Sequence, residues 1–217
     1  MEIETIKRKG YSKSLNKEEL WEIYKSMKTQ RLLEERLLKL YKGGQLSGAV
    51  YTGIGQEASM AGIGAGMGKD DIFGGTHRDL GVQMMRGVSL NEIGLNFFGK
   101  KHGPSKGRDG NSHFGVVDKG TLMVVSPLPD SAPVAVGWAL ASQQSNSGVV
   151  AVANCGEGAT ATGTWHESIN MAGVHNLPIV FTVQNNQFAY SSPNEVEFGT
   201  PNVADRGAGY GLSLIHI

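Results

Sequence analysis

Two short polar segments carry the chemistry legible in this chain: Gly156-Glu157-Gly158 and, 29 residues after Glu157, Asn185-Asn186. Glu157 offers a carboxylate and Asn186 an amide oxygen. These are hard donors of the kind Mg²⁺ takes together with phosphate oxygens and water. Gly156 and Gly158 let a backbone come close to a ligand, and the amide groups opening a following helix can face phosphate. Each piece alone has a plainer reading. An acidic residue in the first turn of a helix complements the dipole by up to ~1 kcal/mol, and paired asparagines are common in turns. The spacing argues for a joint role.

The elements between the two segments set that spacing. Residues 149–155 (VVAVANC) read as a strand buried on both faces, 163–175 as a helix and 177–183 (LPIVFTV) as the next strand. A parallel crossover takes about 30 residues, so Glu157 and Asn186 emerge together at the carboxyl edge of the sheet, where open α/β sheets bind ligands. Upstream, a short strand at 71–73 runs into Thr76-His77-Arg78-Asp79. Arg78 could lay a guanidinium fork on a diphosphate, although an arginine opening a helix is ordinarily a solvated charge.

The remaining elements form the scaffold. Asn16 and Glu19 make a capping box for a helix running to Lys42 and stopping at Gly43-Gly44. Its apolar stripe is Leu33, Leu37, Leu40 and Tyr41, with Glu34, Glu35 and Lys39 largely outside; the stripe packs within the chain or against another subunit. Ser89 and Glu92 cap a helix through Phe97 and Phe98, and residues 99–115 read as a glycine-rich basic loop. Residues 131–144 read as a helix with Val134, Trp138 and Ala141 turned toward the sheet. Residues 1–14 are polar and expected to be mobile.

Composition narrows the class. Twenty basic and twenty acidic residues cancel, giving no field for nucleic acid or an anionic membrane, and no apolar run approaches the ~20 residues of a membrane span. A single cysteine, Cys155, excludes an internal disulfide, and the N-terminus lacks a signal-peptide core, which together favour a cytoplasmic setting. Glycine makes up 31 of 217 residues, roughly twice the usual ~7%, so tight turns and close backbone approaches are frequent.

Residues 156–193, GEGATATGTWHESINMAGVHNLPIVFTVQNNQFAYSSP, resemble the thiamine diphosphate motif of the alpha subunit in the first component of 2-oxo acid dehydrogenases. The likeness extends upstream through RLLEERLLKLYKGGQLSG, YTGIGQEA, GTHRDLGVQMMRGV, SKGRDGNSHFG and VVSPLPDSAPVAVGWALA, covering about residues 20–210. It implies the thiamine diphosphate-binding α/β fold, with a mostly parallel sheet, helices on both faces and an N-terminal helical extension. By the same resemblance the metal ligands are Glu157, Asn186 and the main-chain carbonyl of Phe188. The cofactor contacts are His77, Arg78, Ser126, Leu128, Gly156, Glu157, Gly158, Ala159, Gln184, Asn186 and Phe188. Arg108 and His113 are secondary candidates; a histidine satisfied by loop backbone is the alternative for the latter.

The implied reaction is oxidative decarboxylation of a 2-oxo acid with acyl transfer to a lipoyl-bearing acyltransferase. The implied assembly has two alpha and two beta chains, the beta subunit supplying the glutamate that activates the cofactor. GEG, SSP, RDLGV, HFG and VADRGAGYG lean toward 2-oxoisovalerate; pyruvate and acetoin are alternatives, as is a non-catalytic assembly subunit with the same fold. Two positions depart from the pattern: His77 stands for the usual tyrosine, and Gln184 for a phosphate-binding arginine of some relatives. The family continues well beyond Gly209-Tyr210-Gly211 into a histidine-bearing loop, whereas this chain ends LSLIHI. The expected organisation is therefore a mobile segment at 1–15, an incomplete diphosphate and Mg domain at 16–211 and a non-native tail at 212–217. No catalytic residue lies within the chain, and His216 is not equated with the loop histidine. A nucleotide-binding module is disfavoured, because GxxxxGK[ST] is absent and GEGATATG lacks the later glycine of a dinucleotide fingerprint.

Overall fold

The computed structural model describes residues 15–214. The expectations for residues 1–14 and for His216 lie outside the described residues. The long first helix, α1 (Lys17–Lys42), starts at the expected capping box: the Asn16 side chain accepts from the Glu19 amide and the Glu19 carboxylate accepts from the Asn16 amide, at 2.9 and 2.8 Å. It ends at Gly43, as expected. Leu37 is buried with Leu80, Ile93, Phe97 and Phe114, and Leu33 and Leu40 pack against that cluster.

Two assignments on α1 are corrected. Tyr41 is 40% exposed, whereas Glu34 is only 1% exposed. The helix packs against α2 (Glu57–Gly66) and α3 (Leu80–Met85) as well as the leucine cluster, so a second, polar face is covered. On that face Gln30 donates to Glu34 at 3.0 Å. A single apolar stripe does not reveal a buried polar face.

Strand β1 (Ile72–Gly74), α3 and α4 (Leu90–Phe97) follow, the last with the Ser89–Glu92 capping box in place. Residues 99–115 contain neither helix nor strand, as read. Then come α5 (Ser131–Ser145), β2 (Ala151–Gly156), α6 (Gly163–His175) and β3 (Ile179–Gln184). A hairpin of β4 (Phe188–Ala189) and β5 (Ser192–Pro193) and a 3₁₀ segment (Val203–Tyr210) complete the described chain.

Strands β1, β2 and β3 form one parallel sheet in that order, and β4 and β5 form a separate antiparallel pair. Both strands of the crossover are shifted from the sequence reading, starting two residues later and ending one residue later than 149–155 and 177–183. Strand β2 is buried on both faces, as read. Ala151, Ala153 and Cys155 face α5 and α6, while Val152 meets Phe73, Met60 and Val82 from the α2/α3 side. Helices thus cover both faces of the sheet. Burial pushes the Cys155 thiol far above its ordinary range, with the Asp79 and Glu157 carboxylates adding to it, so this sulfur is an inert packing group.

The orientation expected for α5 is reversed. Ala132, Ala135, Val136 and Ala139 face the sheet, whereas Val134 is 51% and Trp138 41% exposed, and Ala141 is exposed too. The helix is apolar all round, so periodicity does not choose a face. The small side chains do, because they let the helix axis approach the alanine-rich face of β2.

Candidate active site

The three parallel strands end side by side. Gly156 is paired with Gln184 at the last position of the β2–β3 ladder, and β1 stops at Gly74, opposite Ala153. Each strand end therefore delivers one polar turn to the same edge: Thr76-His77-Arg78 from β1, the Glu157–Ala161 3₁₀ turn from β2, and Asn185-Asn186 from β3. The small cleft between them is lined by Gln56, Thr76, His77, Arg78, Leu128, Gly156, Gln184 and Asn186. Six of these eight are residues expected from sequence.

Glu157 sits beneath the cleft, 1% exposed. Its Oε2 accepts the Asn186 amide at 3.4 Å, and its Oε1 is buried without a hydrogen-bond partner. A buried carboxylate oxygen left unpaired is costly, and a bound cation would satisfy it. The Asn186 Oδ1 accepts the Phe188 amide at 2.9 Å and retains a second lone pair. This turn brings the Phe188 main chain to the same edge. No three of His, Cys, Asp and Glu gather into a metal-binding cluster among the described residues. The Glu157 carboxylate and the Asn186 amide oxygen are hard donors, which suit Mg²⁺ rather than a soft metal.

The two glycines have different jobs. A Cβ on Gly156 would meet no atom within 4 Å, so this glycine leaves the cleft floor open for a ligand. A Cβ on Gly158 would collide with the Ala189 side chain, so that glycine allows the β4 hairpin to close over the 3₁₀ turn. Ala159 packs against the core cluster behind the turn.

The other expected residues fall into two groups. Arg78 lines the cleft beside His77, whose ring packs on Tyr51 at 4.7 Å between centroids. Burial, reinforced by Arg78 and His113, lowers the His77 pKa to about 4, so near neutrality the ring is uncharged and acts only by hydrogen bonding and stacking. Gln184 donates to Met60 Sδ at 2.9 Å and approaches Asp79 Oδ1 at 3.4 Å. Ser126 is exposed and does not line the cleft, although Leu128 two residues on does. The Ser126 hydroxyl lies 3.3 Å from His113 Nε2, and His113 Nδ1 lies 3.4 Å from Asp109 Oδ1. His113 is thus engaged through its side chain, while Arg108 is exposed and outside the cleft lining.

Sequence reasoning missed Gln56 and Thr76 in the cleft. Gln56 precedes α2 as its N-cap but makes no side-chain cap bond, and only its place in YTGIGQEA marked it. It also missed a brace behind Glu157. The Arg206 guanidinium donates to Thr160 Oγ1 at 2.9 Å and to the Thr160 carbonyl at 2.7 Å, and meets His166 Nε2, while the other ring nitrogen of His166 bonds the Tyr210 hydroxyl. That brace fastens the 203–210 segment to the turn bearing Glu157.

A family profile described as "Dehydrogenase E1 component" matches residues 24–217, nearly the whole chain. The chain belongs to the dehydrogenase E1 component family. This E1-family chain is 35% identical over 198 residues to the alpha subunit of acetoin:2,6-dichlorophenolindophenol oxidoreductase from Cupriavidus necator, covering 91% of this chain and 60% of that protein. It is 32% identical over 200 residues to the 2-oxoisovalerate dehydrogenase alpha subunit of Bacillus subtilis, covering 91% and 60% respectively. To the mitochondrial 2-oxoisovalerate dehydrogenase alpha subunit of Mus musculus it is 30% identical over 203 residues, covering 94% and 46%. The chain therefore spans about 60% of the length of these bacterial relatives.

Proposed function

We propose that this chain is the diphosphate- and metal-binding part of an E1 alpha subunit, holding thiamine diphosphate and Mg²⁺ for dehydrogenation of a small 2-oxo acid. The observation that carries this reading is the buried Glu157 with one oxygen unpartnered, bonded to Asn186 at the sheet edge, next to the cleft that Arg78 and Asn186 line. When bound, the cofactor supplies the carbon nucleophile and electron sink that a 2-oxo acid requires. Glu157, the Asn186 side chain and the Phe188 carbonyl would hold the cation. Arg78 would neutralise diphosphate charge with a forked pair of donors, and Gly156 would leave room for the diphosphate to lie against the backbone. Neutral His77 and Gln184 would add hydrogen bonds without charge, so the site carries fewer positive groups than an aromatic–arginine pair plus a second arginine would give.

The reaction would be completed by a beta subunit, in an assembly of two alpha and two beta chains, with the acyl group leaving to a lipoyl-bearing acyltransferase. The branched-chain motifs favour 2-oxoisovalerate as substrate. A second reading, acetoin, is favoured by the two acetoin oxidoreductase alpha subunits, at 35% and 34% identity. Assembly of a full-length alpha chain carrying these residues with its beta partner, assayed on 2-oxoisovalerate, pyruvate and acetoin, tests the choice. A preference of at least tenfold for 2-oxoisovalerate is expected, and a tenfold preference for acetoin or pyruvate would overturn it.

A further inference from the structure

Asp79 follows Arg78 directly, is 1% exposed, and binds three separate elements at once. Its Oδ2 accepts the Thr76 amide at 2.6 Å and the Asn154 side-chain amide at 2.9 Å, and its Oδ1 meets Gln184 Nε2 at 3.4 Å. Asn154 lies on β2, two residues before the cleft-lining Gly156, and its own Oδ1 accepts the Thr182 hydroxyl of β3 at 2.8 Å. The Thr76 hydroxyl accepts the Arg78 amide at 3.3 Å, closing the turn on itself. From the opposite side Ser131 of α5 donates to the Gly75 carbonyl at 3.1 Å. Gly75 must be glycine here, because a Cβ would collide with Asp79 Oδ2 and with the Phe73 ring.

These contacts form one buried polar network running across the ends of β1, β2 and β3. We propose that Asp79 is the positioning residue of the cleft, fixing the turn that carries His77 and Arg78 at a set distance from the strand ends that carry Glu157 and Asn186. Asp79 touches no ligand in this role. It acts through Arg78 and rests on the reading of the cleft as a diphosphate site. What the turn requires of residue 79 is an acceptor at the Oδ2 position, since that atom takes both short hydrogen bonds. An asparagine meets this requirement, with Gln184 turning its amide to present oxygen to the new NH₂. An alanine does not, and leaves the Thr76 amide and the Asn154 amide buried without acceptors.

The test uses the full chain with magnesium thiamine diphosphate as probe, and amide hydrogen exchange over residues 75–80 as a second, ligand-free readout. D79A is expected to weaken binding at least tenfold and to raise exchange at Thr76 and Arg78 at least tenfold, whereas D79N stays within threefold of the unsubstituted chain in both. N154A, which keeps Asp79 but removes its β2 anchor, is expected to weaken binding threefold or more, which preserves the test if D79A does not fold. L37A, a destabilising change in the separate leucine cluster, is expected to leave the affinity of the folded chain unchanged. Unaltered exchange at 75–80 in D79A and N154A, or equal losses in D79N and D79A, would overturn the inference. Failure of the unsubstituted chain to bind the probe would instead overturn the diphosphate reading, with the exchange experiment still deciding the role of Asp79 in the turn.

Discussion

At the scale of single residues, Glu157 and Glu34, each 1% exposed, differ because their partners differ. Glu157 keeps one oxygen unpaired at the carboxyl edge of the sheet, with Asn186 bonded to the other, whereas Glu34 lies between helices, with Gln30 bonded to one oxygen and the other unpartnered. Burial raises the Glu34 pKa to about 7 against the pull of Gln30 and the Gly53 amide. Between about 4.5 and about 7 the folded state therefore holds a proton that the unfolded state has lost, and stability from this group declines as pH rises through that window. E34Q should match the natural chain near pH 4.5 and exceed it by on the order of 3 kcal/mol above pH 7, since one pKa unit corresponds to about 1.4 kcal/mol. Urea unfolding at the two pH values checks this. His77 has the opposite sign: its lowered pKa means that stability is lost as pH falls from about 6.5 toward about 4, and H77Q should flatten that slope. Glu157 and Asn186 were legible as candidates because their types and spacing constrain each other, whereas Arg78 became one only through the resemblance. Asp79 and Glu34 were not, because a carboxylate inside a helical or turn pattern reads as solvated until the neighbouring elements are in place.

At the scale of elements, caps and the crossover were legible, and helix faces were less so. Asn16 with Glu19 and Ser89 with Glu92 announce helix starts through side-chain chemistry that acts within four residues, so no tertiary knowledge is needed. N16A is accordingly expected to cost ~1 kcal/mol, measured as a shift in the chemical-denaturation midpoint. The face of α5 depends on a partner distant in sequence, the alanines of β2, and an all-round apolar helix gives no local hint of it. The assignment makes a paired prediction. A139L should overfill the α5–sheet contact and cost about 1–3 kcal/mol, whereas V134S on the opposite face should change stability by no more than about 0.5 kcal/mol in this chain alone. Equal costs at the two positions would return Val134 to the core.

At the scale of the whole molecule, the architecture is a parallel sheet with helices on both faces, whose carboxyl edge gathers three polar turns into one cleft. Fold class followed from the βαβ spacing, and family membership from the profile match over residues 24–217. Among the described residues no helix is long and apolar enough to cross a membrane. Substrate choice was the least legible property, because the proposed role of the cleft is to hold the diphosphate, which does not differ between 2-oxo acids. The central claim is the metal-diphosphate site, and the most direct measurement is calorimetric titration of thiamine diphosphate into the chain with and without Mg²⁺, for the natural sequence and for E157A. The account predicts Mg²⁺-dependent binding that E157A weakens by at least a hundredfold; binding that is indifferent to Mg²⁺, or unchanged in E157A, would contradict it.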